Sequence, residues 1–233
     1  MKKIVVFLFM AILITGFYSC KKGTATPPPA SFYLINVSPG SKSLNFSMDG
    51  AAVNNDLAYN QDSGYYSISP GLHHLQISKT GASTNLIDVN ISLTAAQSYS
   101  LFTIDSITKI TPVTVVDTTV APISDTAKLR VLNFLLGSPV LNVGVVIAGD
   151  TLNKLTYLFR TFNDQGTNSS KSSFQKIVAG TYTLNLVDTA GSKLIKGFSG
   201  LTLSPGKIYT VFINGVYTDT LAYPVSRGII QHN

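Results

Sequence analysis

The chain of 233 residues contains no glutamate and no tryptophan, and its single cysteine is Cys20. Without Glu it lacks a main builder of amphipathic helices. What it has in quantity is Thr, Ser, Val, Ile, Asn, Gly and Tyr, the residues of strands and turns. An all-β fold follows. A lone cysteine excludes an internal disulfide, which a chain of this length does not need in order to form a core. With 3 His and no cysteine to spare, a zinc site is short of ligands. The formal net charge is +6, and two of those charges are Lys2 and Lys3 at the extreme N-terminus. The remaining basic residues are scattered without a stripe, so no nucleic-acid partner is indicated.

Long apolar runs are also missing. The longest is Ile4–Ile14, well short of the roughly 20 residues that span a bilayer. It follows Lys2-Lys3 and leads through Thr15-Gly16-Phe17-Tyr18-Ser19 to Cys20. A charged start, a short apolar stretch and a small residue before the cut describe a secretory signal peptide. The sequence around Ser19-Cys20 resembles the lipobox of bacterial lipoproteins. That resemblance implies cleavage between Ser19 and Cys20, acylation of Cys20 and a membrane partner reached through the lipid. Lys21 after the cysteine is compatible with the outer membrane, either periplasmic or surface-exposed.

Lys21–Ala30 has no periodicity, and Pro27-Pro28-Pro29 favours an extended spacer. Thr111–Thr126, rich in Thr, Val and Pro, reads as a second linker, with a short edge strand at Val113–Val116 at most. The stretches on either side of it match each other. Leu34-Ile35-Asn36 parallels Val131-Leu132-Asn133; Pro70-Gly71-Leu72-His73 parallels Ala179-Gly180-Thr181-Tyr182; Ser98-Tyr99-Ser100-Leu101-Phe102 parallels Ile208-Tyr209-Thr210-Val211-Phe212. Three collinear matches with one insertion, between Asp150 and Ile177, predict a duplicated domain. The organisation expected is a signal peptide at 1–19, an acylated N-terminus and spacer at 20–30, domains at 31–110 and 127–233, and a linker at 111–126.

Within each copy, apolar and polar residues alternate and turn pairs recur at short intervals, as in a sandwich. Leu203-x-Pro205-Gly206-x-x-Tyr209 looks like a tyrosine corner, in which the phenol bonds back to the backbone; Tyr99 is its counterpart. The order Ser38-Pro39, Leu44-Asn45-Phe46, Asp49-Gly50, Leu57-Ala58-Tyr59, Pro70-Gly71 and His73-His74-Leu75 resembles a bacterial family catalogued as domain of unknown function 4397. The resemblance implies tandem Ig-like or transthyretin-like antiparallel β-sandwiches in exported proteins. It brings no catalytic residues with it.

Chemistry is harder to find. His73 and His74 are adjacent on a strand and point to opposite faces, so they read as strand positions rather than as metal ligands. No G-x-S-x-G elbow and no Asp-x-Asp calcium loop is present. Asp49, Asp56 and Asp62 sit in turn-like surroundings, where Asp bonds its own backbone. Tyr59, Tyr65 and Tyr66 cluster, and could stack on a ligand if exposed, although sandwich cores also consume aromatics. The polar insertion around Asn163 and Asp164, within 163–173, is either a recognition loop or a tolerated one. The expectation is therefore a non-enzymatic envelope lipoprotein, structural, adhesive or ligand-binding, with no cofactor and no metal. Alternatives are a glycan-binding accessory lipoprotein of a nutrient-uptake system, with a glycan or protein partner at the cell surface, and a hydrolase with a hidden Asp56 or Asp62 site.

Overall fold

The computed structural model describes residues 26–147 and 154–232. The signal peptide, Ser19, Cys20 and the first half of the spacer lie outside these residues. Eight strands form the first unit: β1 (Ala30–Asn36), β2 (Ser43–Met48), β3 (Ala51–Ala58), β4 (Gln61–Ile68), β5 (Gly71–Lys79), β6 (Asn85–Leu93), β7 (Ser98–Ile104) and β8 (Thr111–Asp117). Eight more form the second: β9 (Thr126–Asn133), β10 (Leu141–Ile147), β11 (Lys154–Arg160), β12 (Gln175–Val178), β13 (Gly180–Asp188), β14 (Lys193–Leu203), β15 (Ile208–Asn214) and β16 (Ser226–Gln231).

Duplication is complete at the level of topology. Sheet order β4-β1-β7-β8 recurs as β12-β9-β15-β16, and β3-β2-β5-β6 recurs as β11-β10-β13-β14. Burial repeats as well: β5 and β13 bury their third, fifth and seventh residues, so His73 and Tyr182 both face inward. The bonds repeat with them. His73 Nε2 lies 2.7 Å from the carbonyl of Ser69, and the Tyr182 hydroxyl donates to the carbonyl of Val178, four residues back in each case. Both tyrosine corners are present. Thr94 N–H donates to the Tyr99 hydroxyl at 3.0 Å, and Ser204 N–H to the Tyr209 hydroxyl at 3.1 Å.

Two expectations need correction. The sandwiches are not wholly antiparallel, since β1 pairs with β7, and β9 with β15, in parallel. In each copy the first strand is flanked by the fourth, antiparallel, and by the seventh, parallel, which arrives only after the opposite sheet is complete. The linker is also shorter than 111–126. Residues 111–117 are β8, which pairs with β7 along its whole length. Pro112 is tolerated because β8 is an edge strand, where a missing N–H on the open side costs nothing. Val113 and Val115 are drawn in by a buried surface, not by the first core.

That surface is a seam between the copies. The first core is built around Phe32, Leu34, Phe46, Leu75, Ile77 and Leu101, and the second around Leu129, Val131, Val143, Leu184, Leu186 and Val211. A third cluster joins Ile35, Phe102, Ile104 and Val113 to Leu132, Phe134, Phe212 and Ile230. Consecutive residues on β1, β7, β9 and β15 therefore point into a core on one side and into the seam on the other. This is why β7 and β15 are buried almost throughout, instead of alternating. Phe102 is the centre of the seam, 4.8 Å from Phe134 and 5.4 Å from Phe212 between ring centroids. Gly228 pairs with Phe212 in the sheet, and any Cβ there would collide with the Phe212 ring. Four sheets are stacked as one block.

The copies differ most at one connection. Tyr59 and Asn60 suffice to join β3 to β4, whereas β11 and β12 are separated by residues 161–174. That insertion forms a short helix, α1 (Asp164–Thr167), and a 3-10 turn, Ser169–Ser172.

Candidate functional site at the domain junction

A charge inside an apolar strand needs partners. Arg130 interrupts Leu129-Arg130-Val131-Leu132 on β9, and its side chain is fully buried at the edge of the seam. Its Nη2 pairs with Asp117 Oδ1 at the end of β8, Nη1 donates to the carbonyl of Val116 at 2.8 Å, and Nε donates to Thr210 Oγ1 at 2.7 Å. Asp117 Oδ2 accepts from the Tyr65 hydroxyl at 2.7 Å and from Ser100 Oγ at 2.8 Å. His232 closes the circle, with Nδ1 2.6 Å from the Tyr65 hydroxyl and Nε2 2.6 Å from Thr210 Oγ1. The Phe174 ring covers the guanidinium, with Arg130 Cζ 4.4 Å from its centroid. Burial, followed by the Asp117 charge, raises the Tyr65 phenol far above its usual range. Burial also holds the His232 imidazole down at about 4, with Asp117 opposing and Arg130 reinforcing the shift.

A hydroxyl, an imidazole and a carboxylate in sequence are the parts of a nucleophilic relay. Here Thr210 is fully buried, and its oxygen already accepts from Arg130. No substrate carbonyl can approach it. The cluster is a joint between domains.

Beside this joint lies an open cleft of about 450 Å³, lined by Gln97, Val116–Val120 and Ser172–Phe174. The first domain supplies Gln97, Val116 and Asp117, residues 118–120 come from the linker, and the second copy's insertion supplies the opposite wall. The lining is rich in hydroxyl and amide groups, with Phe174 as its aromatic side chain. Its acid, Asp117, is engaged by Arg130, Tyr65 and Ser100. The end of the spacer sits close by, because the Pro28 and Pro29 carbonyls accept from Ala96 N–H, next to Gln97.

The predicted site residues do not form one surface. Tyr65 belongs to the joint. Tyr59 is also interdomain, packed edge-on to Tyr223 at 5.2 Å. Tyr66 packs against the first core, and its hydroxyl accepts from Asn54 at 2.8 Å. Asn163 takes a left-handed conformation before α1. Asp164 is a buried counter-ion, accepting from Arg160 Nε and Nη2 at 2.7 Å each. Asp62 accepts from the Tyr33 hydroxyl at 2.6 Å. Asp56 sits at a bulge, where its N–H donates to Asn45 Oδ1; Phe159 repeats this on Asn142. His73 is held by Asp49 and His74 by Asp88. Among the described residues no cluster of three metal-ligating side chains occurs.

Residues 30–144 match a family model described as domain of unknown function (DUF4397). Over this segment the chain is similar to that family. The match takes in the whole first sandwich and runs into β10 of the second. The DUF4397-like segment is thus followed by strands that complete a second sandwich of identical strand order. No curated protein matches the chain. Among solved structures it is similar to a candidate cell adhesion protein from Parabacteroides distasonis ATCC 8503, at 10% identity, over 88% of this chain and 98% of that one, with a TM-score of 0.24. It is similar also to the CBM26 module of Eubacterium rectale Amy13K, solved with maltoheptaose, at 8% identity, over 88% and 97% of the two chains, with a TM-score of 0.24. The fimbrial anchor protein Mfa2 of Porphyromonas gingivalis aligns at 10% identity over 88% and 97%, with a TM-score of 0.22. Likeness at this level carries no functional argument. No helix among the described residues is long and apolar enough to cross a membrane.

Proposed function

We propose that the chain is a non-enzymatic, lipid-anchored module of the cell envelope that binds a neutral, hydroxyl-rich ligand, a glycan, in the junction cleft. The observation that carries the reading is the origin of the cleft wall: it comes from the one long insertion by which the second copy departs from the first. Clefts of roughly 300–1,000 Å³ at domain interfaces are where small ligands usually bind. The lining favours a neutral ligand, because its hydroxyl and amide groups can exchange hydrogen bonds while its carboxylate is already committed to Arg130. Phe174 offers an aromatic edge for the apolar face of a sugar ring.

Anchoring gives the cleft an orientation. Nine residues lie between Cys20 and Ala30, ten Cα steps with a reach of about 33 Å when extended. The spacer ends beside Gln97, so the cleft lies on the anchor-proximal end of the block. Metabolic labelling with a palmitate analogue should tag the wild-type chain and not Cys20→Ala, whose sandwiches should still give a β-type circular dichroism spectrum. Label retained in Cys20→Ala would refute the anchor.

Binding is tested by calorimetric titration of the mature chain with maltoheptaose, cellohexaose and chitotetraose. At least one should bind, and Thr119→Trp, a change at an exposed lining residue, should weaken it tenfold or more. Binding of none, or binding indifferent to Thr119→Trp, would refute the cleft as a glycan site. Tyr65→Ala is a poor probe because it opens the joint around Asp117.

A further inference from the structure

We propose that the ring joining Tyr65, Asp117, Arg130, Thr210 and His232 is a latch that ties the two sandwiches together at neutral pH and weakens in acid. The inference is independent of what the cleft binds.

Proton positions in the ring follow from its chemistry. A guanidinium can only donate, so Thr210 Oγ1 accepts from Arg130 Nε, and its own hydrogen is left to reach His232 Nε2 when that nitrogen carries none. A carboxylate can only accept, so Tyr65 gives its hydrogen to Asp117 and must accept from His232 Nδ1–H. Both ring nitrogens are thereby assigned: Nδ1 donates and Nε2 accepts. A neutral imidazole lets every hydrogen in the ring find an acceptor.

Adding a proton at Nε2 breaks this order. The Thr210 hydroxyl would face two donors, and its own hydrogen would lose its acceptor inside a buried joint, which is costly. The groups facing the imidazole are Asp117 from β8 at 3.7 Å, Tyr65 from β4, Thr210 from β15, Arg130 from β9 and the edge of Phe174 ahead of β12. The only anion among them, Asp117, is already shared by Arg130, Tyr65 and Ser100. His232 itself is 1% exposed in its side chain.

Direction follows by linkage. The closed form holds the imidazole at about 4, against 6.5 when it is free in water. The open form therefore takes up the proton first, and closure weakens as pH falls below 6.5. The weakening approaches tenfold per pH unit, reaches on the order of a hundredfold near pH 4, and stops growing below that. Above pH 6.5 the imidazole is neutral in both forms and closure is unaffected.

The test is urea unfolding of the mature chain at pH 7 and pH 4, with far-UV circular dichroism as the readout. The wild-type folding equilibrium should fall, between pH 7 and pH 4, on the order of a hundredfold more than that of His232→Gln, which keeps one donor and one acceptor without a proton to gain. Equal falls in the two proteins would overturn the latch. Should the variant fail to fold, NMR titration of the wild-type imidazoles decides the matter. His232, identified by its contacts to the Tyr65 and Phe174 rings, must titrate near 4, and titration near 6.5 overturns the proposal.

Discussion

Replacing Arg130 with Met should destabilise the protein by about 3–5 kcal/mol, the usual cost of stranding one partner of a buried pair. The substitution leaves Asp117 charged and fully buried among Tyr65, Ser100 and the seam, and it takes the donors from the Val116 carbonyl and from Thr210. Lys cannot rescue the site, because one ammonium cannot reach three acceptors fixed around a planar fork. The double variant Arg130→Met/Asp117→Leu should recover most of the loss, since removing both charges also removes the desolvation penalty. Urea titrations at pH 7 measure both. A single variant within 1 kcal/mol of wild type would mean that the joint is solvated and contributes little.

Phe102→Ala should cost about 3–5 kcal/mol as well, through a cavity rather than a charge. Phe102 is fully buried between Phe134 and Phe212 of the other domain and adds nothing to the first core. Its loss should therefore fall on the coupling between the sandwiches. Thermal unfolding, expected to be a single transition in the wild type, should broaden or split in Phe102→Ala. Leu34→Ala, in the first core on the neighbouring strand, should destabilise by about 2–5 kcal/mol without splitting it. Equal behaviour of the two variants would contradict an interdomain role for Phe102.

These two residues also mark the boundary of what the sequence discloses. Duplication, tyrosine corners and inward-facing His73 were readable, because each depends on neighbours a few residues away or on a repeat of the same local pattern. The seam depends on a surface covered by the other copy. Its trace in the sequence is the failure of alternation in Ser98–Ile104 and Ile208–Asn214, together with an arginine placed inside an apolar strand. Thr111–Asp117 reads as linker because Pro112 is a poor central-strand residue, and an edge strand tolerates it. Tyr65 looks like a surface aromatic beside Gly64 and Tyr66 and is in part exposed, yet the partners of its hydroxyl are 52 and 167 residues away. No local pattern records such distances. Asp164 was a candidate ligand contact because the insertion is polar. Arg160, four residues earlier, already occupies it. The cleft needs three separate segments at once, and only the fold brings Gln97, Thr119 and Phe174 to one place.

The central claim is that two copies of one sandwich are fused by a seam and a joint into a single cooperative block. Differential scanning calorimetry of the mature chain at pH 7 tests it most directly. A single transition, with calorimetric and van't Hoff enthalpies equal, is the predicted result. Two resolved transitions, each with the enthalpy of roughly half the chain, would show that the sandwiches unfold independently and would contradict the account.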